Sequence, residues 1–350
     1  MNPDSGGTPR LVVTRSTSRE GEWLKRDCVL KRVSCAPAVY GDPNRVLQYG
    51  LRTWSNHAGI SPHRIHSWHA CNVLKLLGAR QLGGRDMSQV LDVLATDPVA
   101  ACMVAARVEE FGLEPRAFQG ELWSRGGPQD SLCFSGANLV PLRGDHDDLR
   151  AFADRAVRGP RLCSSVVGRS ELALPLWDML IGEWGPAREL RPEQPLLAMT
   201  RPADITPDPA VRQVTMDEFE CYLEAAIDMF IEEVGVDPRS GDGGSAYRRR
   251  VANLITAGRA WAHFEGGRVV FKAEVGSLSR TVGQIQGVWV DPTLRGLGHG
   301  AAGTAAVANA VIAGGRTASL YVNSFNAAAR HTYRRVGFRQ VATFATVLLD

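Results

Sequence analysis

The pattern of hydrophobic and polar positions predicts a first folded half over residues 72–198. Helices are predicted where apolar residues recur at a period near 3.6, and strands where they alternate or form short runs. Asp86 stands where the cap of the first helix is expected. The predicted order is a strand over 73–77 and 79–82, helices over 86–94 and 99–110, strands over 121–124, 131–135 and 138–140, a helix over 147–156, a strand over 162–167 and a helix over 172–183.

A second half is predicted over residues 211–350. Its elements include a strand over 211–214, helices over 216–234 and 245–256, a hairpin of 261–264 and 268–275, and a strand over 284–290. The hairpin turns at two adjacent glycines, which tolerate positive φ. The stretch Arg191–Pro209 between the halves contains five prolines, and it is interpreted as a linker with an edge strand over Leu196–Met199.

The last of these strands runs directly into a glycine-rich turn, with Arg295, Gly298 and Gly300 at its centre. Glycines let backbone amides approach an anion with no Cβ in the way. A helix that begins here adds free amides and its positive dipole end, which favour negative charge by roughly 0.3–2 kcal/mol. The turn lacks the Gly-Lys-Ser/Thr ending of a P-loop and the later acidic residue of a dinucleotide site. It is predicted to hold a pyrophosphate.

A second motif follows in Ser319–Phe338, where Asn323, Asn326, Tyr333 and Gly337-Phe338 recur in a set order. With these two motifs the chain resembles the GNAT superfamily of acyl-CoA-dependent N-acyltransferases, of the actinobacterial kind that carries a degenerate GNAT-like domain upstream. The first motif of that superfamily is Arg or Gln, two residues, Gly, one residue, then Gly or Ala. The resemblance is strong over the second half and weak over the first.

The resemblance implies an α/β fold with two GNAT-like domains in tandem, each a mixed, mostly antiparallel sheet flanked by helices. The expected organisation is a poorly ordered leader over 1–71, a degenerate GNAT-like domain over 72–198, a linker over 199–210 and a catalytic N-acetyltransferase domain over 211–350. The first half has no equivalent of Arg-x-x-Gly-x-Gly, so acyl-CoA is not assigned to it.

The resemblance places acetyl-CoA between the strand that enters the glycine-rich turn and the strand that precedes Asn323. The backbones of Val288 and Val290 would bond the pantetheine amides, and the amides of 296–300 the pyrophosphate. For Asn326, capping of the next helix is an equal alternative. The full set of expected cofactor-binding residues is Val288, Val290, Arg295, Gly296, Leu297, Gly298, His299, Gly300, Asn323 and Asn326.

Two side chains are candidates for proton transfer. Tyr333 stands where the superfamily has the acid that protonates the departing thiolate of coenzyme A, and the alternative is a core tyrosine packed on Phe338. Glu274 is a carboxylate inside an apolar strand, and burial is expected to raise its pKa into the range of a useful base. The alternative for Glu274 is a structural ion pair with Lys272 or Arg280.

Composition adds exclusions. A net charge of +3 favours neither nucleic acid nor a membrane as a partner. The seven cysteines form no Cys-x-x-Cys pair, and the sequence has no run of 18 apolar residues and no apolar signal core, so a cytoplasmic protein is expected. Four histidines and Cys71 in the leader do not follow the spacing of an established ligand set, so no metal is expected.

The function expected from these features is an acetyl-CoA-dependent N-acetyltransferase, which moves an acetyl group to a primary amine of a small molecule or protein by direct attack. Two alternatives are a non-enzymatic acyl-CoA-binding sensor and a tandem acetyltransferase similar to mycothiol synthase. Tyr333 beside an intact turn favours catalysis over sensing.

Overall fold

The computed structural model describes residues 78–240 and 242–350, so the predicted leader and the strand predicted over 73–77 lie outside the described residues. The first half contains β1 (Arg80–Gln81), α1 (Met87–Thr96), α2 (Cys102–Phe111), α3 (Pro115–Phe118), β2 (Glu121–Ser124), β3 (Leu132–Ser135), β4 (Leu139–Arg143), α4 (His146–Val157), β5 (Ser165–Arg169), α5 (Ser170–Trp184) and β6 (Glu189–Met199). The second half contains β7 (Arg212–Gln213), α6 (Phe219–Val234), α7 (Ser245–Thr256), β8 (Ala260–Glu265), β9 (Arg268–Leu278), β10 (Val282–Val290), α8 (His299–Ala313), β11 (Thr317–Tyr321), α9 (Ala327–Val336) and β12 (Arg339–Leu348).

All of these strands form one sheet in the order β1-β2-β3-β4-β5-β12-β6-β11-β10-β9-β8-β7. Neighbouring strands are antiparallel except for two parallel pairs, β4 with β5 and β10 with β11. The halves exchange strands at the centre of the sheet. β6 of the first half lies between β11 and β12, and β12, the last strand of the second half, lies between β5 and β6. The predicted mixed, mostly antiparallel sheet flanked by helices is confirmed, and the sheets of the two halves join into one.

The edge strand predicted within Arg191–Pro209 is wrong. β6 is longer than predicted, lies at the centre of the sheet and ends in a run of buried residues. Proline lacks an N–H and is usually confined to edges or bulges. Here Pro195 lies opposite Thr343, and the register of β12 shifts on both sides of that residue. These irregularities accommodate the proline within a central strand.

Helices cover both faces of the sheet because successive strand residues point to opposite sides. Leu196 joins the apolar cluster of α1 and α2, whereas Leu197 joins that of α8 and α9. On β12, Phe344 packs in the cluster of α1 and α2, whereas its neighbour Ala345 packs in the cluster of α4 and α5 on the other face. A fourth cluster joins α6 and α7 to β8. No helix in the described ranges combines the length and hydropathy that a membrane span needs.

Helix α8 packs closely on the sheet because small residues face it. Ala301 and Ala305 are buried, and a Cβ added at Gly303 would stand 2.6 Å from the ring of Phe271. A larger residue at Gly303 would therefore lift the helix from the sheet. This contact therefore fixes how closely α8 approaches the sheet.

Candidate active site

The site lies where β10 separates from β11. The two strands pair only over Val282–Gln284, whereas β10 remains paired with β9 up to Val290. Gly287, with φ of +58°, lies in the irregular stretch where the register with β9 shifts. On the β11 side of Val288 and Val290 no described strand is paired. The sheet is therefore split between β10 and β11 beyond Gln284, and this unpaired stretch is called the gap.

The glycine-rich turn closes one end of this gap. Asp291 caps a short 3₁₀ turn by accepting a hydrogen bond from the amide of Thr293 at 2.9 Å, and the chain then turns through Gly296 and Gly298 with φ of +79° and +97°. Helix α8 begins at His299, and none of the described side chains caps it. A Cβ at either glycine would meet nothing within 4 Å. The two turn glycines therefore border open space next to a helix start without a side-chain cap, which are features of an anion site.

The side chain of Arg295, predicted to contribute positive charge to the pyrophosphate site, is paired with a carboxylate. Its guanidinium forms a two-pronged ion pair with Glu232 of α6 at 2.6 and 2.8 Å, and its Nε donates to the carbonyl of Val290 at 3.1 Å. Glu232 thus neutralises much of the charge that the turn was predicted to contribute. The side chain of Arg295 ties α6 to the turn in this structure.

The other turn residues are accessible. Leu297 is 69% exposed, and His299 is partly buried, with its ring 6.0 Å from that of His263. A Cβ added at Gly300 would meet only the side chain of Val290, at 3.5 Å. The turn and the end of β10 therefore form one continuous surface along the gap.

Tyr333 lies on α9, is 8% exposed and packs edge to face on Phe338 at 6.2 Å. The alternative predicted for this residue, a core tyrosine on Phe338, therefore describes its packing correctly. Burial raises the pKa of Tyr333, and the charge of Glu233 raises it further. A phenol with a raised pKa stays protonated at neutral pH and can donate a proton, so the packing is compatible with the predicted acid role.

Glu274 is fully buried, but the expected rise of its pKa is wrong. Burial alone would raise the pKa, and the ion pairs with Lys272 and Arg250 overcome this effect and lower it to about 2. Lys272 Nζ lies 3.2 Å from one carboxylate oxygen and Arg250 2.8 Å from the other. A carboxylate with so low a pKa is a poor proton acceptor near neutral pH. The structural alternative with Lys272 fits, whereas Arg280 pairs with Glu109.

Lys272 completes this buried cluster. It has no exposed surface, its Nζ donates to the carbonyl of Gly287 at 3.2 Å, and it lies over the ring of Tyr222 at 5.4 Å. Burial lowers the pKa of Lys272, and Glu274 opposes that shift. The cluster therefore anchors the irregular part of β10 at Gly287 to β9 and, through Arg250, to α7.

Glu233 is an acidic residue with a perturbed pKa that sequence reasoning missed. Its side chain is exposed near the end of α6, yet the surrounding protein desolvates it and raises its pKa. Its charge is close enough to shift the pKa of Tyr333. The sequence signal was present: Glu232 and Glu233 occupy the last turn of a helix, where the dipole disfavours acidic residues.

The two asparagines have different partners. Asn323 accepts a hydrogen bond from Gln194 of β6 at 2.8 Å, and Gln194 accepts one from Thr346 of β12 at 2.6 Å. Both exchanged strands therefore hold Asn323 in place. Asn326 caps α9 by accepting from the amide of Ala329 at 3.0 Å, which confirms its capping role. Contact of either residue with pantetheine stays a prediction.

The corresponding turn in the first half, between β4 and α4, is closed. Asp145 accepts a hydrogen bond from the amide of Asp148 at 3.0 Å, and the Asp148 carboxylate accepts one from the amide of Asp145 at 3.0 Å. These carboxylates occupy amides that would otherwise face an anion, and their charge repels phosphate. The geometry agrees with the absence of the glycine motif from this half.

Comparisons with known proteins match the halves separately. Residues 270–347 match the family described as FR47-like protein, and residues 120–222 match a domain of unknown function, DUF4081. A mycothiol acetyltransferase from Cellulomonas flavigena is 41% identical over 86 residues, which make up 24% of this chain and 24% of that protein. The matched region thus spans about a quarter of the length of this curated relative.

Solved structures resemble the chain over a longer stretch. A protein from Drosophila superposes with a TM-score of 0.57 at 11% identity, over 77% of this chain and 98% of its own. A tandem GNAT protein from the clavulanic acid biosynthesis pathway gives a TM-score of 0.48 at 14% identity, over 77% of this chain and 98% of its own. At such low identity, structural likeness shows the fold alone.

Proposed function

The second half of the chain is a GNAT-type domain, and from this premise we propose that the protein is an acetyl-CoA-dependent N-acetyltransferase. The GNAT-type match and the acetyltransferase relative support acetyl transfer as the reaction class. The proposal adds the donor, acetyl-CoA, and the acceptor class, a primary amine. One observation carries the proposal. β10 separates from β11 shortly before the uncapped start of α8, and the two glycines of the intervening turn border open space.

This geometry suits the two chemical parts of coenzyme A. The pantetheine arm carries amides, which can bond the main chain of Val288 and Val290 as an added strand would. The pyrophosphate carries negative charge, which the free amides of residues 298–300 and the helix dipole stabilise. Arg295 would reach a phosphate only by leaving Glu232, so we assign it to holding the turn.

Acetyl transfer by direct attack requires two proton movements. An amine with a pKa near 10.4 is largely protonated at pH 7, and its deprotonation costs about 5 kcal/mol before it can attack the thioester carbon. We assign the removal of that proton to Glu233, whose pKa is raised and whose side chain is exposed. The tetrahedral intermediate then collapses, the C–S bond breaks, and Tyr333 protonates the departing thiolate.

A second candidate follows from the mycothiol acetyltransferase relative. In this version the acceptor is a thiol-containing amino sugar, and the first half shapes its pocket. The closed turn at Asp145 indicates that only the second half would hold acyl-CoA. The candidates therefore differ in acceptor and agree on the donor site.

The donor site is tested with Gly298→Val, measured by calorimetry with acetyl-CoA. A β-branched residue at φ of +97° is strained and projects into the space that the pyrophosphate needs, so we expect binding to weaken tenfold or more, about 1.4 kcal/mol. Gly315→Val is the matched control, because Gly315 has φ of +75° at the other end of α8 and lies away from the turn. Equal affinity of both variants and the unchanged protein would refute the donor site.

The reaction itself is tested by release of free coenzyme A in the presence of simple amines, peptides, aminoglycosides and a cysteine-bearing amino sugar. Release with only the last compound favours the second candidate. Binding of acetyl-CoA with no release for any acceptor would instead support the acyl-CoA sensor. Failure to bind acetyl-CoA would exclude all three functions.

A further inference from the structure

Three side chains with metal-binding chemistry converge beside the glycine-rich turn. Asp208 lies between the two halves, His263 on β8 and His299 at the first position of α8, and one potential ligand atom from each lies within 4.8 Å of the others. Each comes from a different element, so local chain geometry does not force them together. None of them takes part in the proposed acetyl transfer through its side chain.

The surroundings of His263 point to a cation. Its Nδ1 lies 2.7 Å from a carboxylate oxygen of Asp208, and its Nε2 lies 3.2 Å from one of Glu265. The imidazole thus has a carboxylate oxygen close to each ring nitrogen, an acidic setting that a bound cation would balance. His263 is only 9% exposed, which limits compensation by water.

A metal ion bound at Nδ1 of His263 would also be a partner for the carboxylate of Asp208, and it would leave Nε2 for Glu265. His263 would then donate its Nε2 proton to Glu265, which is the carboxylate–histidine–metal arrangement that fixes ring orientation in metal sites. Two imidazoles and one carboxylate suit Zn²⁺ and similar ions. Tetrahedral bonds of about 2.0–2.1 Å place ligand atoms about 3.3 Å apart. The three ligand atoms lie within 4.8 Å of one another, so metal binding would draw His299 closer and move His263 Nδ1 and the Asp208 oxygen, now 2.7 Å apart, slightly away from each other.

We propose that Asp208, His263 and His299 bind one divalent transition-metal ion of the Zn²⁺ class, with Glu265 orienting His263. The ion would join the segment between the halves to the start of α8. The backbone already makes such a link, because the amide of Asp208 donates to the carbonyl of Ala302 at 3.0 Å. Sequence spacing does not reveal this site, since the ligands are far apart along the chain.

Metal titration of the full-length protein tests the site in the absence of acetyl-CoA, so the result is independent of the proposed activity. After chelator treatment, Co²⁺ is added while visible absorption is followed, and Zn²⁺ is then added to displace it. We expect His299→Gln and Asp208→Asn each to bind one equivalent fewer than the unchanged protein. His331→Gln is the control, because His331 is exposed on α9, and it should bind the same number.

Counting the difference between variants removes any contribution from the histidines of residues 1–71. Thermal unfolding provides a second measurement: Zn²⁺ should raise the midpoint of the unchanged protein and of His331→Gln, but not that of His299→Gln or Asp208→Asn. Circular dichroism without metal shows whether each variant is folded. Equal numbers of bound ions in His299→Gln, Asp208→Asn and the unchanged protein, or no bound ion in the unchanged protein, overturn the proposal.

Discussion

Glu274→Gln separates a structural role of this residue from a catalytic one. The substitution removes the negative charge that lies 3.2 Å from Lys272 and 2.8 Å from Arg250, while the volume of the side chain is kept. Lys272 would then stay buried without its counter-charge, and breaking a buried pair in this way costs about 3–5 kcal/mol. The depression of the Glu274 pKa from 4.5 to about 2 reflects the same ion pairs and has the sign expected for a stabilising carboxylate.

The pH dependence of this stabilisation has a definite sign. The pKa of Glu274 is lower in the folded protein than in the unfolded chain, so the folded state favours the ionised form. The contribution is therefore complete above pH 4.5 and is lost as the pH falls towards 2. We expect the difference in unfolding free energy between the unchanged protein and Glu274→Gln to shrink over that interval.

Urea unfolding at several pH values is the assay. Lys272→Met combined with Glu274→Leu is the matched variant, because it removes both buried charges and leaves Arg250, which is 42% exposed, in contact with water. We expect this double variant to regain most of the stability. The structural assignment is refuted if Glu274→Gln lowers the free energy of unfolding by less than about 1 kcal/mol. It is also refuted if the variant is fully folded but its turnover number collapses and the acidic limb of its pH profile disappears.

Two predictions concern the proton transfers. Glu233→Gln should lower the turnover number by about 10²–10⁴-fold and remove the fall in activity at acidic pH, because a carboxylate base is protonated as the pH drops through its raised pKa. The control Glu232→Gln should keep that fall in activity. An unchanged pH profile in Glu233→Gln would contradict the role of Glu233 as the base. Tyr333→Phe should lower the turnover number by about tenfold or more while calorimetry shows unchanged acetyl-CoA affinity, and retained turnover argues for packing on Phe338 alone.

Local patterns predicted the elements of the second half well. The helix predicted over 245–256 is α7 as observed, and the hairpin turns at Gly266 and Gly267 as expected. Periodicity and turn residues suffice here because each depends on neighbours in sequence. The position of the glycine-rich turn at the start of α8 also followed from local residues alone.

The strand exchange could not be predicted in the same way. An apolar run specifies a strand but not its partners, and the prolines of β6 suggested an edge where the structure has a central strand. Glu274 shows the same limit. The strand pattern correctly indicated burial, and Lys272 lies two residues away on the same face, but Arg250 arrives from α7 and reverses the direction of the pKa change.

The exchange of β6 and β12 makes the two halves unsuitable for separate study. A fragment that starts at residue 211 would lack β6, so β11 would lose its β6 partner, and Asn323 would lose its hydrogen bond with Gln194. A fragment that stops at residue 210 would leave β5 without β12 in turn. Cutting the chain between the halves therefore removes the strand that supports β11 beside the gap, and activity measurements belong on the undivided polypeptide.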